Sequence, residues 1–450
     1  YLTEKGKKNS LIRLAGKALW LFTLPLLASS IFQQLYNIAD TVIVGQFVGE
    51  GALAAVGASY PITMIFTAVA MGCNIGCSVI ISQLYGAGKK AQMKTAISTS
   101  FIAFTALALL LTGLGLALAV PLMRMLGTPT DVFDDSVVYL NIYIVGMAFV
   151  FLYNIATGIF TAFGDSKTPL VFLIISSVTN IGLDLLFVCV FHWGVGGAAW
   201  ATVIAQGLAS IGCIFVLLVR LRHIETSEPS PAFSWTLLKK TAFIAVPSVL
   251  QQSFVSLGNL FIQGVVNSFG SSIMAGYTAA VKLNVFTTTC LTTLATGISS
   301  YCAQNIGAGK TERLGVGFRS GVIISLCTAL PFFLLYFFFS PAMVSLFMEG
   351  GSEEAMRAGC DFLKIVSPFY FVIGVKIAID GMFRGAGAMK LFMLSTFADL
   401  LFRVALAYIL TPSMGATGIW TSWPVGWTLA TALSVFCYAK GYWKPKHALV

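Results

Sequence analysis

The first long apolar segment of the chain reads Pro25-Leu-Leu-Ala-Ser-Ser-Ile-Phe-Gln-Gln-Leu-Tyr-Asn-Ile-Ala-Asp-Thr-Val-Ile-Val-Gly45. About 20 helical residues, at ~1.5 Å each, cover a hydrocarbon core of ~30 Å, so this segment can cross a bilayer. It nevertheless contains Asp40, and a carboxylate at membrane depth costs at least ~2.5–3.5 kcal/mol on insertion scales. Gln33, Asn37 and Asp40 are spaced by four and three residues and therefore share one helical face. This polar face is predicted to be functional.

The composition of the whole chain agrees with a membrane protein. Hydrophobic residues make up 57% of the 450 residues and charged residues only 10%, whereas soluble proteins have about 25% charged residues. The net charge of +10 could suggest a nucleic-acid partner, but the positions of the basic residues account for it better. We predict a multi-pass protein of the cell (inner) membrane with no nucleic-acid partner.

Twelve apolar segments are long enough to cross a membrane as helices. The predicted fold class is an all-α membrane protein with twelve transmembrane helices in two pseudo-symmetric six-helix lobes. The predicted spans are 18–45, 52–84, 95–120, 137–162, 169–191, 197–219, 238–266, 273–305, 316–339, 358–383, 391–410 and 415–438.

The distribution of Lys and Arg predicts the orientation. If the amino terminus is cytoplasmic, only Arg124, Arg357 and Lys364 of the 27 Lys and Arg residues fall in outer segments. Most of the others fall in inner segments, as the positive-inside rule requires. Both termini are therefore predicted to be cytoplasmic.

The two halves of the chain repeat each other. Pro25 and Pro247 are 222 residues apart, and the pattern Gln83…Gly86-Ala-Gly-Lys89 returns as Gln304…Gly307-Ala-Gly-Lys310. Because each half has an even number of spans, both copies point the same way, and a substrate is expected between two lobes that alternate in access. The predicted parts are a basic cytoplasmic tail 1–17, an N-lobe 18–219, a cytoplasmic linker 220–237, a C-lobe 238–438 and a cytoplasmic tail 439–450.

A second acid lies at membrane depth in the first half. Asp184 follows Asn180 by four residues, so the two side chains share a helical face and could hold a proton or a small cation. The alternative for both acids is a structural role in which each is a hydrogen-bonded polar group of the first lobe. We favour a functional role for Asp40 and Asp184.

The second half has charges of both signs at depth. Their spacings of four residues favour ion pairs within helices, and the surplus of acids in the first lobe should draw a cation there. Another stripe, Trp420, Trp423 and Trp427, is interpreted as a lipid anchor rather than a wall for substrate stacking. The second-half charges are Lys282, Lys376, Asp380, Asp399 and Arg403.

These features together resemble the multidrug and toxic compound extrusion (MATE) family. The matching elements are Gln33 to Gly45, the duplicated Gln…Gly-Ala-Gly-Lys, Gly164-Asp-Ser-Lys-Thr-Pro169 and Gly194-Val-Gly-Gly-Ala-Ala-Trp-Ala-Thr202. The resemblance implies a two-lobe antiporter that expels amphipathic, often cationic compounds in exchange for protons or sodium. In proton-linked relatives the ion-coupling site is similar to Asp40, Asn180, Asp184 and Thr202 here, with a hinge at the position of Pro25.

The same resemblance assigns Gln33, Gln34, Tyr36, Asn37 and Asn154 to the expected substrate cavity. Sodium-linked members commonly carry a Glu in helix 7 and an Asp in helix 10, where this chain has Val255 and Ile373, so coupling in the first lobe is favoured.

We therefore expect a monomeric antiporter for small amphipathic molecules that works in the lipid bilayer. It needs no metal and no cofactor apart from the coupling ion, H⁺ or Na⁺. One alternative is a flippase or exporter of a lipid-linked or anionic compound. A remote alternative is an intramembrane enzyme, but neither a His-Glu-x-x-His motif nor a Gly-x-Ser-x-Gly motif is present.

Overall fold

Helices form almost all of the first half of the chain, because a backbone in lipid must satisfy its polar groups internally. The computed structural model describes residues 2–48, 50–126, 128, 130–226, 228–346 and 352–444. The helices of this half are α1 (Leu2–Ile43), α2 (Glu50–Gly86), α3 (Lys90–Met125), α4 (Phe133–Val145), α5 (Met147–Ala162), α6 (Lys167–Asp184) and α7 (Gly194–Arg222). Two π-helical turns, Val44–Val48 and Leu185–Val190, extend α1 and α6.

The second half of the chain is also built from helices. Short 3₁₀ turns at Thr311–Arg313 and Ser367–Phe369 precede two of its helices. Its helices are α8 (Trp235–Asn267), α9 (Ser271–Gly307), α10 (Leu314–Phe338), α11 (Ser340–Ser345), α12 (Glu353–Val366), α13 (Tyr370–Gly385), α14 (Met389–Met414) and α15 (Ala416–Ala439).

Each of the twelve predicted spans coincides with one of these helices or with a broken pair of them. Among the described residues, nine helical segments are long and apolar enough to cross a membrane, and α4 with α5, bent by 44° at their junction, makes a tenth. The two remaining predicted spans correspond to α9 and α15, which have 37 and 24 residues. In the predicted carboxy-terminal tail, residues 445–450 lie outside the described residues.

The chain divides into two compact units. The first-half unit is Ala28–Val249, and the second-half unit is Tyr1–Leu27 with Leu250–Leu449. Each division lies two residues after a proline inside a long helix, Pro25 in α1 and Pro247 in α8. The helical segments before the two prolines therefore belong to the opposite unit from the residues that follow them. The predicted lobe boundaries did not anticipate this arrangement and remain predictions.

Within the first-half unit, residues 232–249, which we call the strap, pack tightly against α2 and α3. The Ser98 hydroxyl donates to the Ala232 carbonyl at 2.7 Å, and the Ser234 amide donates to the Thr99 hydroxyl at 3.0 Å. Farther along the strap, α2 approaches so closely that a Cβ atom on Gly76 would lie 2.7 Å from the Ala245 Cβ. Hydrogen bonds and backbone contact thus hold the strap to this unit.

The second-half unit repeats this contact at the corresponding place. A Cβ atom on Gly297 of α9 would lie 2.5 Å from the methyl group of Thr23, in the part of α1 before its proline. Gly76 and Gly297 are 221 residues apart, and Thr23 and Ala245 each precede a proline by two residues. The internal repeat thus extends to the glycines that admit these segments.

The turn between α5 and α6 is organised by Asp165. Its Oδ1 accepts hydrogen bonds from the Lys167 and Thr168 amides, both at 3.1 Å, and the Arg220 Nη1 donates to its Oδ2 at 2.8 Å. The Arg220 guanidinium also lies 5.3 Å from the centre of the Phe163 ring. Burial alone would raise the pKa of Asp165, but the hydrogen bonds from Thr168 and the charge of Arg220 outweigh it and hold the pKa below its usual value.

Candidate functional site

Each of the two acids at membrane depth in the first half precedes a π-helical turn. Asp40 is four residues before the turn at Val44–Val48, and Asp184 is the last residue of α6 before the turn at Leu185–Val190. Single π-helical turns inside helices occur frequently at functional sites. This feature was not predicted, because a π-helical turn leaves no pattern in hydropathy.

The carboxyl groups of Asp40 and Asp184 lie within hydrogen-bonding reach of each other. An ionised carboxylate only accepts hydrogen bonds, so a bond between two carboxyl groups requires a proton on one of them. Asp184 is completely buried, whereas Asp40 is partly exposed. The Oδ1 atom of each acid has no hydrogen-bond partner among the described residues. Two acids in this arrangement can share one proton.

Asn180 and Thr202 complete the cluster, as the resemblance implied. With the amide nitrogen of Asn180 facing the carboxyl group, Nδ2 donates to the Asp184 Oδ2 at 2.7 Å. The amide oxygen then accepts from the Thr202 backbone nitrogen at 3.1 Å and lies 3.2 Å from its hydroxyl oxygen. Because Asn180 is only 1% exposed, its amide holds Asp184 in a fixed position. The structure brings all four predicted coupling residues together.

Two tyrosines face this cluster. The hydroxyl group of Tyr36 forms a hydrogen bond with the Thr202 side chain, so a residue assigned to the substrate cavity lies beside the acid pair. Tyr139 of α4, which sequence reasoning missed, lies within electrostatic range of both Asp40 and Asp184. Its ring stacks on Tyr143 with 6.4 Å between centroids. The spacing of four between these tyrosines in an apolar span was the available signal.

The other predicted cavity residues lie on α1 and α5. The Gln33 Nε2 donates to the Asn37 Oδ1 at 3.4 Å, in agreement with their predicted shared face. Gln34 is partly exposed next to them. The Asn154 amide donates to the Val150 carbonyl of its own helix at 2.8 Å. Their roles in substrate binding remain predictions.

An apolar cluster lies one helical turn beyond the two acids. Val44 follows Asp40 by four residues and Val188 follows Asp184 by four, and both valines are buried in this cluster. Exclusion of water there strengthens electrostatic interactions at the neighbouring acids. The other buried members of the cluster are Ala52, Ala55, Val132, Val195 and Ala198.

The second-half charges agree with the ion-pair prediction only in part. The Lys376 Nζ lies 2.6 Å from the Asp380 Oδ2, which confirms that pair. The predicted Asp399–Arg403 pair is wrong, because no ion pair within 4.0 Å forms between these described side chains. The Arg403 guanidinium lies instead 4.4 Å from the centre of the Trp423 ring, whose face attracts a cation.

Two further groups complete this set of charges. Arg384 follows Asp380 by four residues, but its guanidinium lies 5.5 Å from the centre of the Phe392 ring and forms no ion pair within 4.0 Å among the described side chains. Lys282, predicted to lie at depth, is exposed in α9.

The tryptophan stripe does not anchor the protein in lipid. Trp420, Trp423 and Trp427 are only 2%, 3% and 2% exposed within the second-half unit. Trp420 stacks on Tyr277 with 5.1 Å between centroids and meets Phe362 edge-on at 5.5 Å. The interpretation as a lipid anchor is therefore wrong, since this face of α15 packs against other helices of its unit.

Cysteines and metal ligands do not form a further site within the described residues. All nine cysteines are free thiols. Among the described side chains, no group of three His, Cys, Asp or Glu residues is placed to hold a metal ion.

Comparisons with known proteins agree with these features. A family model described as MatE matches residues 25–186 and again residues 247–409, once in each half of the chain. The chain is 28% identical over 429 residues to the probable multidrug resistance protein YpnP of Bacillus subtilis, covering 95% of this chain and 96% of that protein. It is also 26% identical over 350 residues to a FAD transporter of Shewanella oneidensis, covering 74% of each.

The fold is similar to that of solved structures. One is an outward-facing conformation of a multidrug resistance MATE family transporter of the MOP superfamily, with a TM-score of 0.89, 24% identity, and coverage of 96% of this chain and 97% of that one. This similarity confirms the predicted fold class, an all-α membrane protein with twelve transmembrane helices in two lobes.

Proposed function

Because this chain belongs to the MatE family, whose members are membrane transporters and not enzymes, we propose that it exports amphipathic cationic compounds in exchange for protons. Its substrates are small molecules, and it is a multi-pass membrane protein. We place it in the cell membrane as a monomer with both termini in the cytoplasm, in line with the positions of its basic residues.

The observation that supports this proposal is the close approach of the Asp40 and Asp184 carboxyl groups. No Lys, Arg or His forms an ion pair with either acid among the described side chains. When the pair loses its proton, its negative charge attracts a cationic substrate. When a proton binds from the outside, that attraction is removed and the substrate is released outward.

The pH gradient supplies the free energy for a one-to-one exchange. When one proton enters for each monovalent cation that leaves, no net charge moves, so the contribution of the membrane potential, about 2.3 kcal/mol per charge at 100 mV, cancels. Each tenfold ratio of protons, about 1.4 kcal/mol, then supports a substrate gradient of roughly tenfold, and a second proton per substrate would add the contribution of the potential. Two carboxyl groups this close can share one proton through a single hydrogen bond, and this property favours a proton over sodium.

The central test is the substitution Asp40→Asn. We expect it to abolish ethidium efflux in cells at equal surface expression, because an amide holds no exchangeable proton and no negative charge. Asp131→Asn, which changes an exposed acid at a turn, is the matched control and should leave efflux unchanged. Undiminished efflux by the Asp40 variant would refute the proposal.

The coupling ion needs a second assay. Purified protein in proteoliposomes should drive uptake of a cationic dye under an imposed pH gradient with sodium absent on both sides. Transport that follows a sodium gradient alone would show that sodium is the coupling ion.

A second candidate function is the export of an anionic or lipid-linked compound. It is favoured by the similarity to a protein named as a FAD transporter. Two of the basic side chains that would suit an anion are engaged inside the second-half unit, Lys376 by a carboxylate and Arg403 by a ring. Transport of FAD by the reconstituted protein, in place of the dye, would establish this alternative.

A further inference from the structure

The ion pair of the second-half unit has no part in the exchange proposed at Asp40. Lys376 and Asp380 of α13 are 4% and 6% exposed, and their charged atoms are 2.6 Å apart. A buried ion pair is weak evidence for a gain in stability, because desolvation of both charges offsets their attraction. Stability alone therefore does not account for its presence inside a transporter.

The carboxylate of Asp380 has direct partners on two helices, and a third helix supports one of them. Its Oδ2 contacts Lys376 of α13, and its Oδ1 accepts a hydrogen bond from the Ser395 hydroxyl of α14 at 3.1 Å. The Ser395 oxygen lies 2.7 Å from the Ser434 oxygen of α15. Carboxylate and hydroxyl oxygens are hard donors of the type that binds small cations. The lysine ammonium meets this carboxylate as such a cation would.

Lys376 is the one ion-pair partner of this carboxylate within 4.0 Å among the described side chains. Arg384 is the other nearby charge, one helical turn beyond Asp380. Its guanidinium lies 5.5 Å from the centre of the Phe392 ring, and its Nε and Nη2 atoms have no hydrogen-bond partner among the described residues. It therefore does not replace the ammonium as an ion-pair partner.

The two units thus differ in how the charge of their buried acids is neutralised. The pair of Asp40 and Asp184 lacks a basic partner among the described side chains, so its charge has to be met by an ion from solution. Asp380 carries its cation on the same helix. We propose that Lys376 is a tethered cation that fills a cation site at the Asp380 carboxylate, beside the Ser395 hydroxyl, so that the second-half unit takes up no coupling ion.

This inference deepens the proposed function, because it assigns all ion coupling to the first-half unit. It also implies that removal of the ammonium converts the site into a binding site for a small monovalent cation, either Na⁺ or H⁺. In that state the carboxylate and hydroxyl oxygens remain, and the space of the lysine head group becomes available.

The test compares thermal stability of purified protein in sodium chloride and in choline chloride at equal ionic strength. We expect the melting temperature of the wild type to be the same in both salts. Lys376→Met should be destabilised in choline chloride and should recover on addition of sodium or on acidification, which separates the two cations. Lys390→Met, a change of an exposed lysine at the start of α14, is the matched control and should respond to neither.

The double variant Lys376→Met/Asp380→Asn completes the experiment. It removes the carboxylate charge, so the recovery by sodium or acid should disappear. A Lys376→Met protein whose stability is indifferent to both cations would overturn the proposal. So would a wild-type protein that sodium stabilises and Asp380→Asn makes insensitive, because the ammonium would then not fill the site.

If the Lys376→Met protein does not accumulate in cells, the double variant still tests the proposal. Because both charges are removed together, it should fold and should transport with the same number of protons per substrate as the wild type. A folded double variant with a changed proton stoichiometry would overturn the proposal. The thermal measurement does not require transport, so it fails or succeeds independently of the Asp40 efflux assay.

Discussion

The close contact between α2 and the strap makes Gly76→Ala an informative substitution. A Cβ atom at this position would lie 2.7 Å from the Ala245 Cβ, 2.8 Å from the Thr241 carbonyl oxygen and 3.0 Å from the Ala245 backbone nitrogen. Two of these three atoms belong to the backbone of α8 and cannot rotate away. The new methyl group therefore has to displace the whole strap or push α2 back.

The expected loss of stability follows from that geometry. Insertion of a methyl group into a well-packed contact costs typically about 1–3 kcal/mol. Gly57→Ala in the same helix is the matched control, because no described atom lies within 4 Å of the added Cβ. Without a clash, alanine is favoured over glycine inside a helix by about 1 kcal/mol. Both glycines lie inside α2, so this gain cancels between the two variants. They should thus differ by the cost of the clash alone, about 1–3 kcal/mol, with Gly57→Ala the more stable.

The assay is the thermal unfolding of both purified variants in one detergent, beside the wild type. Gly76→Ala should melt below the wild type, and Gly57→Ala at or above it. Dye efflux should fall for Gly76→Ala and stay unchanged for Gly57→Ala. If Gly76→Ala melts as high as Gly57→Ala, the strap does not pack on α2 as described, and its assignment to the first-half unit is wrong.

Three further substitutions test other contacts. Gly297→Ala should be milder than the change in α2, because its Cβ meets a threonine methyl group that can turn aside, so its melting temperature should lie closer to the wild type. The ionised form of Asp165 stabilises the fold above the pKa of about 3.9 that the group has in the unfolded chain. This stability is lost as the pH falls through the lower pKa of the folded state. The Asp165→Asn variant should not show this loss of stability in an acid titration. The hydroxyl of Ser352 accepts the Ala355 amide at 3.2 Å at the start of α12, so Ser352→Ala should lower stability by about 0.5–2 kcal/mol, measured by thermal unfolding against Ser345→Ala.

The helices could be predicted from sequence because a bilayer imposes one length and one secondary structure on every apolar span. The packing of the strap against the first-half unit could not be predicted. Hydropathy marks where α8 starts, but it carries no information on which neighbour the segment before Pro247 contacts. That choice depends on Gly76, whose missing side chain admits a backbone. In the sequence, Gly76 cannot be distinguished from Gly57 of the same helix, where no described atom comes close.

The charged residues show the same limit. A spacing of four allowed both predicted ion pairs of the second half, and Lys376 with Asp380 formed one. Arg403 instead lies over Trp423, because a guanidinium can exchange a carboxylate for an aromatic face at similar energy. Periodicity places residues on a common face but does not decide between two partners on that face. For the tryptophans, hydropathy likewise cannot distinguish a lipid-facing surface from a protein interior.

The proximity of Asp40 and Asp184 could not be predicted from residue spacing, for a different reason. The two acids are 144 residues apart, so only their likeness to a family site connected them before the structure did. The residues around the two acids show why their proximity matters chemically. Each acid is followed by a π-helical turn, and a valine from each turn enters one apolar cluster. The same turns thus bring the carboxyl groups together and close the space beyond them to water.

Asp40 also shares its helix with Pro25, fifteen residues earlier, and the chain passes from one unit to the other just after that proline. A change of charge at Asp40 acts on a helix whose two parts belong to different units. Pro25 lacks a backbone N–H, so one hydrogen bond of the helix is absent where the units divide. Protonation of the acid pair and movement of the units therefore have a short covalent route between them, through α1. Pro247 divides α8 in the same way, but the corresponding turns contain no acid, so of the two repeated helices only α1 combines a unit boundary with a buried acid.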